Sequence, residues 1–295
     1  MKKRKILIIT FCSIVLSLLI FSSFARLIFV NKKRQAFKIM EATVNERYSG
    51  RGEDFSLLVK DLSFPNSQLL FQDTREFVAA SLVKLPILAV ALETVRKRKI
   101  KFDDVIVISE KDIAGGSGVI KGMKLPVKIT FLKLLELMIS RSDNTAANKV
   151  IDVLGFDYIN ERFKKMGLEH TILKRRMMDF TSRAKGIENY TSSSDIAIVL
   201  EKIYRKEFIG KELSEIALSF LKDQKVNDRL PRYLPGDIVV AHKTGLENGI
   251  VHDAGIVFTP KGNYIICVLT KKVKDYSKAK KFIADISLLT YNLYE

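Results

Sequence analysis

Ser81 and Lys84 stand three positions apart in AASLVKLPILAVAL, residues 79–92, where the lysine is the one charged residue. An ammonium in apolar surroundings costs several kcal/mol unless it is paired or gives up its proton. On a helix, positions i and i+3 share a face, so the Lys84 amine is predicted to reach the Ser81 hydroxyl. A lysine whose pKa is depressed toward neutrality can take that hydroxyl proton and make the serine a nucleophile. The rival reading is a lysine that snorkels its amine out to water. The same S-x-x-K spacing recurs at Ser182–Lys185, Ser219–Lys222 and Ser277–Lys280. Those three lie among charged neighbours, where lysine keeps its proton, so the spacing alone carries little.

Two further motifs lift the first pair above the others. SDN, at Ser142–Asn144, falls at the junction of two predicted helices, where side chains converge on a cleft. KTG, at Lys243–Gly245, ends a predicted strand, and its glycine allows close approach to the backbone. In this order the three motifs are the set used by serine β-lactamases and penicillin-binding proteins. On these residues the chain resembles the class A β-lactamase-like serine hydrolases, over about residues 45–295.

That resemblance implies a role for each residue. Ser81 is the acylated nucleophile and Lys84 its base or proton relay. Ser142 passes a proton to the leaving nitrogen, and Asn144 holds Lys84 and the substrate amide. Lys243, Thr244 and Gly245 receive the substrate carboxylate, and Ser117, in GGSGV, sits at the cleft edge. The backbone N–H groups of Ser81 and Leu246 form the oxyanion hole, each donor contributing about 3 kcal/mol to the transition state. No cofactor and no metal is implied, and His170, His242 and His252 lack metal-ligand spacing.

One element of the family pattern is missing. Class A enzymes hydrolyse the acyl-enzyme with a glutamate in an R-x-E-x-x-x-N context. Here the corresponding loop reads LKRRMMDFTSRAKGIENY. Counted back from YTSSSD, the glutamate position falls on Met177 and the asparagine position on Thr181. Asp179 is the candidate replacement base if the loop is two residues shorter, with bonding to loop backbone or Arg176 as its alternative role. Glu188 reads as a surface residue, His242 as core packing, and Asp253 as partner of a nearby cation or of substrate.

Hydrophobic periodicity supplies the elements that must position these groups. FSLLVKDL and SQLLFQD read as strands joined by SFPN, and IVVAHKTG, AGIVFTP and NYIICVLT as three more, the last two joined by PKGN. A helix is predicted from Ser81 to the basic Arg96–Lys99, with Pro86 tolerated near its start. Others cover Thr130–Ser140, TAANKVIDVLG to Gly155, YINERFKKMG to Gly167, SSSDIAIVLEKIY, and Tyr276–Tyr294. The predicted fold is α/β (α+β): an antiparallel sheet built from both chain ends and flanked by helices, with a helical subdomain inserted over about 95–235.

The chain start bears on location. KKRK is followed by no charge from Ile6 to Ala25, which is long enough for a transmembrane helix. Residues 1–35 are therefore expected to form a signal-anchor, or a signal cleaved near Ala25, placing the domain outside the cytoplasmic membrane. Two cysteines, Cys12 and Cys267, are too few for a disulfide framework. The net charge of +17 suits anionic lipid or wall polymers better than nucleic acid, for which no aromatic–basic motif is present. The expected partners are a small β-lactam or a peptidoglycan stem peptide, the membrane through the N-terminal helix, and no second copy. The expected function is β-lactam hydrolysis through an acyl-enzyme on Ser81. The alternatives are a D-alanyl-D-alanine peptidase or a penicillin-binding receptor with slow deacylation.

Overall fold

The computed structural model describes residues 21, 28, 30–44, 46, 54–64 and 66–295. Five antiparallel strands form the central sheet in the order β2-β1-β9-β8-β7. They are β1 (Asp54–Asp61), β2 (Gln68–Phe71), β7 (Val239–Glu247), β8 (Ile250–Phe258) and β9 (Tyr264–Lys271). β1 pairs with β9, Leu58 opposite Cys267, so the two ends of the domain close one sheet. Side chains alternate across a strand, and both faces are apolar. Leu57, Val59, Ile266 and Val268 share one core with residues of the last helix. Leu58, Ile265, Cys267 and Leu269 belong to the other, with the main helical layer.

That layer is built around α2 (Lys84–Arg96), every residue of which from Lys84 to Thr94 is buried. A helix apolar all round must lie inside a protein, and α3 (Phe131–Ser140), α4 (Asn144–Leu154), α5 (Phe156–Met166), α7 (Ser193–Arg205) and α8 (Lys211–Lys222) contribute residues to the same core. Local signals set their ends. The Thr130 hydroxyl accepts from Lys133 N–H and the Asp143 carboxylate from Ala146 N–H, capping α3 and α4. Gly167 ends α5 in the left-handed conformation at φ +81°. The Ser192 hydroxyl accepts from Asp195 N–H to open α7. Residues 30–44 form α1, and α9 (Tyr276–Tyr291) covers the other face of the sheet.

Periodicity missed the short pieces. β3 (Phe77–Val78) pairs with β6 (Tyr190–Thr191), and β4 (Val105–Ile108) with β5 (Val127–Thr130). A five-residue helix, α6 (Phe180–Ala184), lies inside the expected loop. Two- and four-residue strands are too short to show a period, and their pairing is decided by the chain they meet.

The α/β architecture agrees with the expectation, but the membrane-spanning helix included in it is corrected. Among the described residues no helix is long and apolar enough to cross a membrane. The run expected to do so, residues 6–25, lies outside the described residues except for Phe21. The described helix that follows it, α1, is amphipathic: Phe37, Met40 and Val44 are buried in the sheet's second core, while Lys32, Arg34 and Lys38 are exposed. Lys33 pairs with buried Asp61 at the end of β1. Met40→Ala should therefore lower the unfolding free energy by about 3 kcal/mol. Ile39→Ala, at a 62 % exposed position, should change it by less than about 0.5 kcal/mol. Denaturant unfolding of the two variants measures both.

Candidate active site

The approach to Ser81 is held from below. β3 leads into a short 3₁₀ turn, Ala80–Val83, that carries Ser81 and continues directly into α2. The residue before Ser81, Ala80, takes φ +44°, a left-handed value that costs a residue with a Cβ. Ala79 N–H donates to Asn189 O at 2.8 Å. His252 Nδ1 accepts from Thr270 N–H, so its Nε2–H donates to Val78 O at 2.9 Å. Burial holds His252 down to about 4, and it stays neutral.

Lys84 is fully buried at the first turn of α2. Its Nζ lies 2.7 Å from Ser142 O, 2.7 Å from Asn144 Oδ1 and 3.3 Å from Ser142 Oγ. Lys243, also fully buried, donates to the same Ser142 Oγ at 2.9 Å and to Thr244 O at 2.9 Å. Burial, with Lys243 beside it, pushes Lys84 well below the ordinary lysine range, opposed by the nearby Asp143 carboxylate. Burial brings Lys243 down to about 7, where Asp253 raises it and Arg229 lowers it further. A neutral Lys84 amine has two N–H groups, which Ser142 O and Asn144 Oδ1 take up. Its lone pair is then left for a hydroxyl proton. Among the described residues no hydrogen bond joins Lys84 to Ser81; the direct contact expected from the i, i+3 spacing is replaced by contacts to Ser142 and Asn144.

Ser81 lines a cleft of about 270 Å³, together with Ser117, Asn144, Met177 and Leu246. Its upper rim is fastened by Asp143. That carboxylate accepts from Val119 N–H at 2.7 Å and Ile120 N–H at 3.0 Å, while Asn144 N–H donates to Ser117 O at 3.0 Å. Gly118 sits at φ +132°, where an added Cβ would lie 2.4 Å from the Asp143 carboxyl, so only glycine fits. Thr244 and Gly245 lie buried behind the cleft on β7, an edge strand. Backbone groups on an edge strand point outward at every second residue. The Thr244 carbonyl, which takes a lysine side chain, belongs to that outward set, and Leu246 shares its parity. Leu246 N–H is thus directed toward the same side as Ser81.

Residues 38–294 match the model of the Beta-lactamase enzyme family. The chain belongs to that family. A β-lactamase of Bacteroides uniformis is 25 % identical over 240 residues, covering 76 % of this chain and 81 % of that one. The β-lactamase from Sphaerobacter thermophilus DSM 20745 superposes with a TM-score of 0.79 at 27 % identity, covering 88 % of this chain and 96 % of that one. A substituted PBP-A, solved as an acyl-enzyme complex with penicillin G, superposes with a TM-score of 0.79 at 26 % identity, covering 88 % and 95 %. The protein is a serine β-lactamase-type hydrolase, similar to the class A enzymes.

Within this β-lactamase family member the departures lie on the loop from Leu173 to Asn189. Met177 is 93 % buried, and its backbone is clamped by Asn148, whose amide bonds Met177 N–H at 2.8 Å and O at 3.1 Å. Asp179 is not brought into the cleft. It caps α6, accepting from Ser182 N–H at 2.9 Å and Ser182 Oγ at 2.7 Å, and those bonds hold it below the usual carboxylate range. It faces a neighbouring hollow with Asp112, Asp152 and Arg176. Arg176 pairs with Asp152 at 2.5 Å.

Glu188, read from sequence as a surface residue, is buried and pairs with Arg175 through both oxygens, at 2.6 and 3.0 Å. His242 is buried against Asp253 and Asn227, away from the cleft lining. Asp253 accepts from His242 and from Leu230 N–H. Sequence reasoning missed Asp143, Asn148 and Asn189 as positioning residues; for Asp143 the signal was present in GGSG, whose Gly118 leaves room for that carboxyl alone. Gly118→Ala should destabilise the protein by roughly 2 kcal/mol, read as a lowered Tm. Gly122→Ala, where an added methyl meets no atom within 4 Å, should leave Tm almost unmoved.

Proposed function

We propose that this hydrolase opens β-lactam rings by forming an acyl-enzyme on Ser81. The observation that carries the reading is the Lys84 amine, fully buried, held at 2.7 Å by Ser142 O and Asn144 Oδ1 and lying 3.3 Å from the Ser142 hydroxyl. In the proposed step Lys84 takes the Ser81 proton, directly or through Ser142 Oγ, and Ser81 Oγ attacks the lactam carbonyl. The oxyanion is held by the N–H groups of Ser81 and Leu246. Ser142 then gives a proton to the lactam nitrogen as the C–N bond breaks, and is itself resupplied through the lysines. Lys243 and Thr244 hold the substrate carboxylate. Ser117 and Asn144 border the acyl group, and Gly245 keeps the strand open behind it. The Bacteroides uniformis relative and the penicillin G complex of PBP-A support this reading, and both substrate classes would be met outside the cytoplasmic membrane.

A second reading is favoured by one observation, the absence of a free carboxylate beside Ser81 among the described residues. Met177 stands on the cleft wall, Asp179 is turned to the neighbouring hollow, and Glu247, which does line the cleft, is held by two arginines at 2.8 Å. Water reaching the ester then lacks a strong base. That suits a D-alanyl-D-alanine peptidase acting on stem peptides, or a penicillin-binding protein that stays acylated.

Mass spectrometry of the protein with a penicillin over time separates the readings. A transient Ser81 adduct with accumulating hydrolysed drug supports β-lactam hydrolysis, and a persistent adduct supports the second reading. No adduct, or one that survives in Ser81→Ala, would sink both. Asp179→Asn should leave the adduct lifetime unchanged, whereas Met177→Glu should shorten it.

The acylation rate should be bell-shaped in pH. It rises as Lys84 loses its proton on the acid side. On the alkaline side it falls above about 7, where free Lys243 loses the charge that draws the substrate carboxylate. Because an arginine keeps its charge, Lys243→Arg should abolish the alkaline fall in kcat/KM; an unchanged profile would remove Lys243 from carboxylate binding.

A further inference from the structure

Four charged side chains that cancel one another meet beside the Ser81 cleft, and three of them line it. Glu247, the last residue of β7, accepts at Oε1 from Arg175 Nη2 and from Arg183 Nη1, each at 2.8 Å. Arg175 also donates to Glu188, through Nε and the same Nη2, and Arg183 Nε lies 3.4 Å from that carboxylate. Two guanidinium groups and two carboxylates thus form an alternating ring with no net charge. It joins the loop to the end of the edge strand, two segments far apart in the chain. Arg175, Arg183 and Glu247 line the Ser81 cleft themselves, beside Met178, Phe180 and Leu246.

From this arrangement we infer that Glu247 is a specificity-determining residue: by cancelling the charge of Arg183 and Arg175 in the cleft wall, it makes the cleft select acyl donors with uncharged, apolar side chains over anionic ones. The inference rests on the acylation of Ser81 proposed above. The walls suit such a group. Met178, Phe180 and Leu246 offer thioether, ring and branched-chain surface, and Phe180 and Leu246 are each 52 % exposed and free to be covered by a ligand. Without Glu247 the same walls would end in an uncompensated guanidinium, an anchor for a carboxylate. Glu247 therefore acts by what it removes, a positive field at the place where a distal carboxylate would otherwise bind.

The test compares two penicillins that differ by one carboxylate, a phenylacetyl penicillin and its α-carboxy counterpart. The second-order rate of Ser81 adduct formation is measured for each, with the whole chain, by mass spectrometry. The quantity read is the ratio of the carboxy rate to the neutral rate. Glu247→Gln keeps the side-chain shape and leaves one positive charge unbalanced, so the ratio should rise about fivefold, the scale of a partly exposed charge pair. Arg183→Gln leaves one negative charge unbalanced, so the ratio should fall by a similar factor. Both shifts should shrink as salt is raised.

Opposite shifts are not produced by a merely structural role, which would move both rates of each variant together. Ratios that stay put, or move the same way in both variants, overturn the inference. Should Glu247→Gln fail to fold, Arg183→Gln decides alone, since Arg183 is partly exposed on the short α6. Absence of any adduct in the unsubstituted protein would instead overturn the acylation reading itself.

Discussion

Two fully buried lysines share one hydroxyl. Lys84 and Lys243 approach Ser142 Oγ from either side, at 3.3 and 2.9 Å. Two ammonium groups so close and so dry repel one another, and the desolvation of each adds to the cost. The arrangement is relieved by loss of a proton, and the protein directs that loss to Lys84. Complete burial and the neighbouring Lys243 push Lys84 down, whereas Asp253 supports the charge on Lys243. On the proposed reading, one amine serves as a base while the other remains a cation. Neither would titrate this way in water.

Much of the remaining architecture serves to hold Ser142 where both lysines meet it. Ser142 takes φ +51° at the α3–α4 junction, a conformation that costs energy for a residue with a Cβ. Capping by Asp143 on one side and the packing of α3 and α4 into the main core on the other over-determine it. Asp143 also fastens the rim at Val119 and Ile120, so one carboxylate caps a helix and shapes the cleft at once. Three backbone N–H groups, those of Val119, Ile120 and Ala146, depend on that one carboxylate for their acceptor.

The loop from Leu173 to Asn189 follows the opposite logic. Its polar groups are consumed internally: Asn148 clamps Met177, Asn189 binds the backbone of Lys174 and Arg175, and Arg175 is locked to Glu188. Besides the paired Arg175 and Arg183, the loop turns thioether and aromatic surface to the cleft. The site is therefore rich in proton-transfer groups on the side of Ser142 and poor in them on the side of Met177. On the proposed reading, that asymmetry would separate making an acyl-enzyme from hydrolysing one.

The strands of the main sheet, most of the long helices, and the order of Ser81, Lys84, Ser142, Asn144 and Lys243 were legible in the sequence, because period and motif spacing are local properties. It also exposed the missing glutamate, since a residue type at a counted position can be read without a structure. It did not reveal which hydroxyl Lys84 faces. Helical spacing pointed to Ser81, but the helix junction offers two oxygens of Ser142 and one of Asn144 to the same amine. Nor did it place Glu188 inside the protein or Asp179 outside the cleft. Acidic residues in an aperiodic loop look alike until long-range partners arrive, and Arg175, Arg183 and Glu247 are brought together only when β7 and the loop dock. Burial of a charge depends on what packs around it, and for these residues tertiary contact alone supplies that.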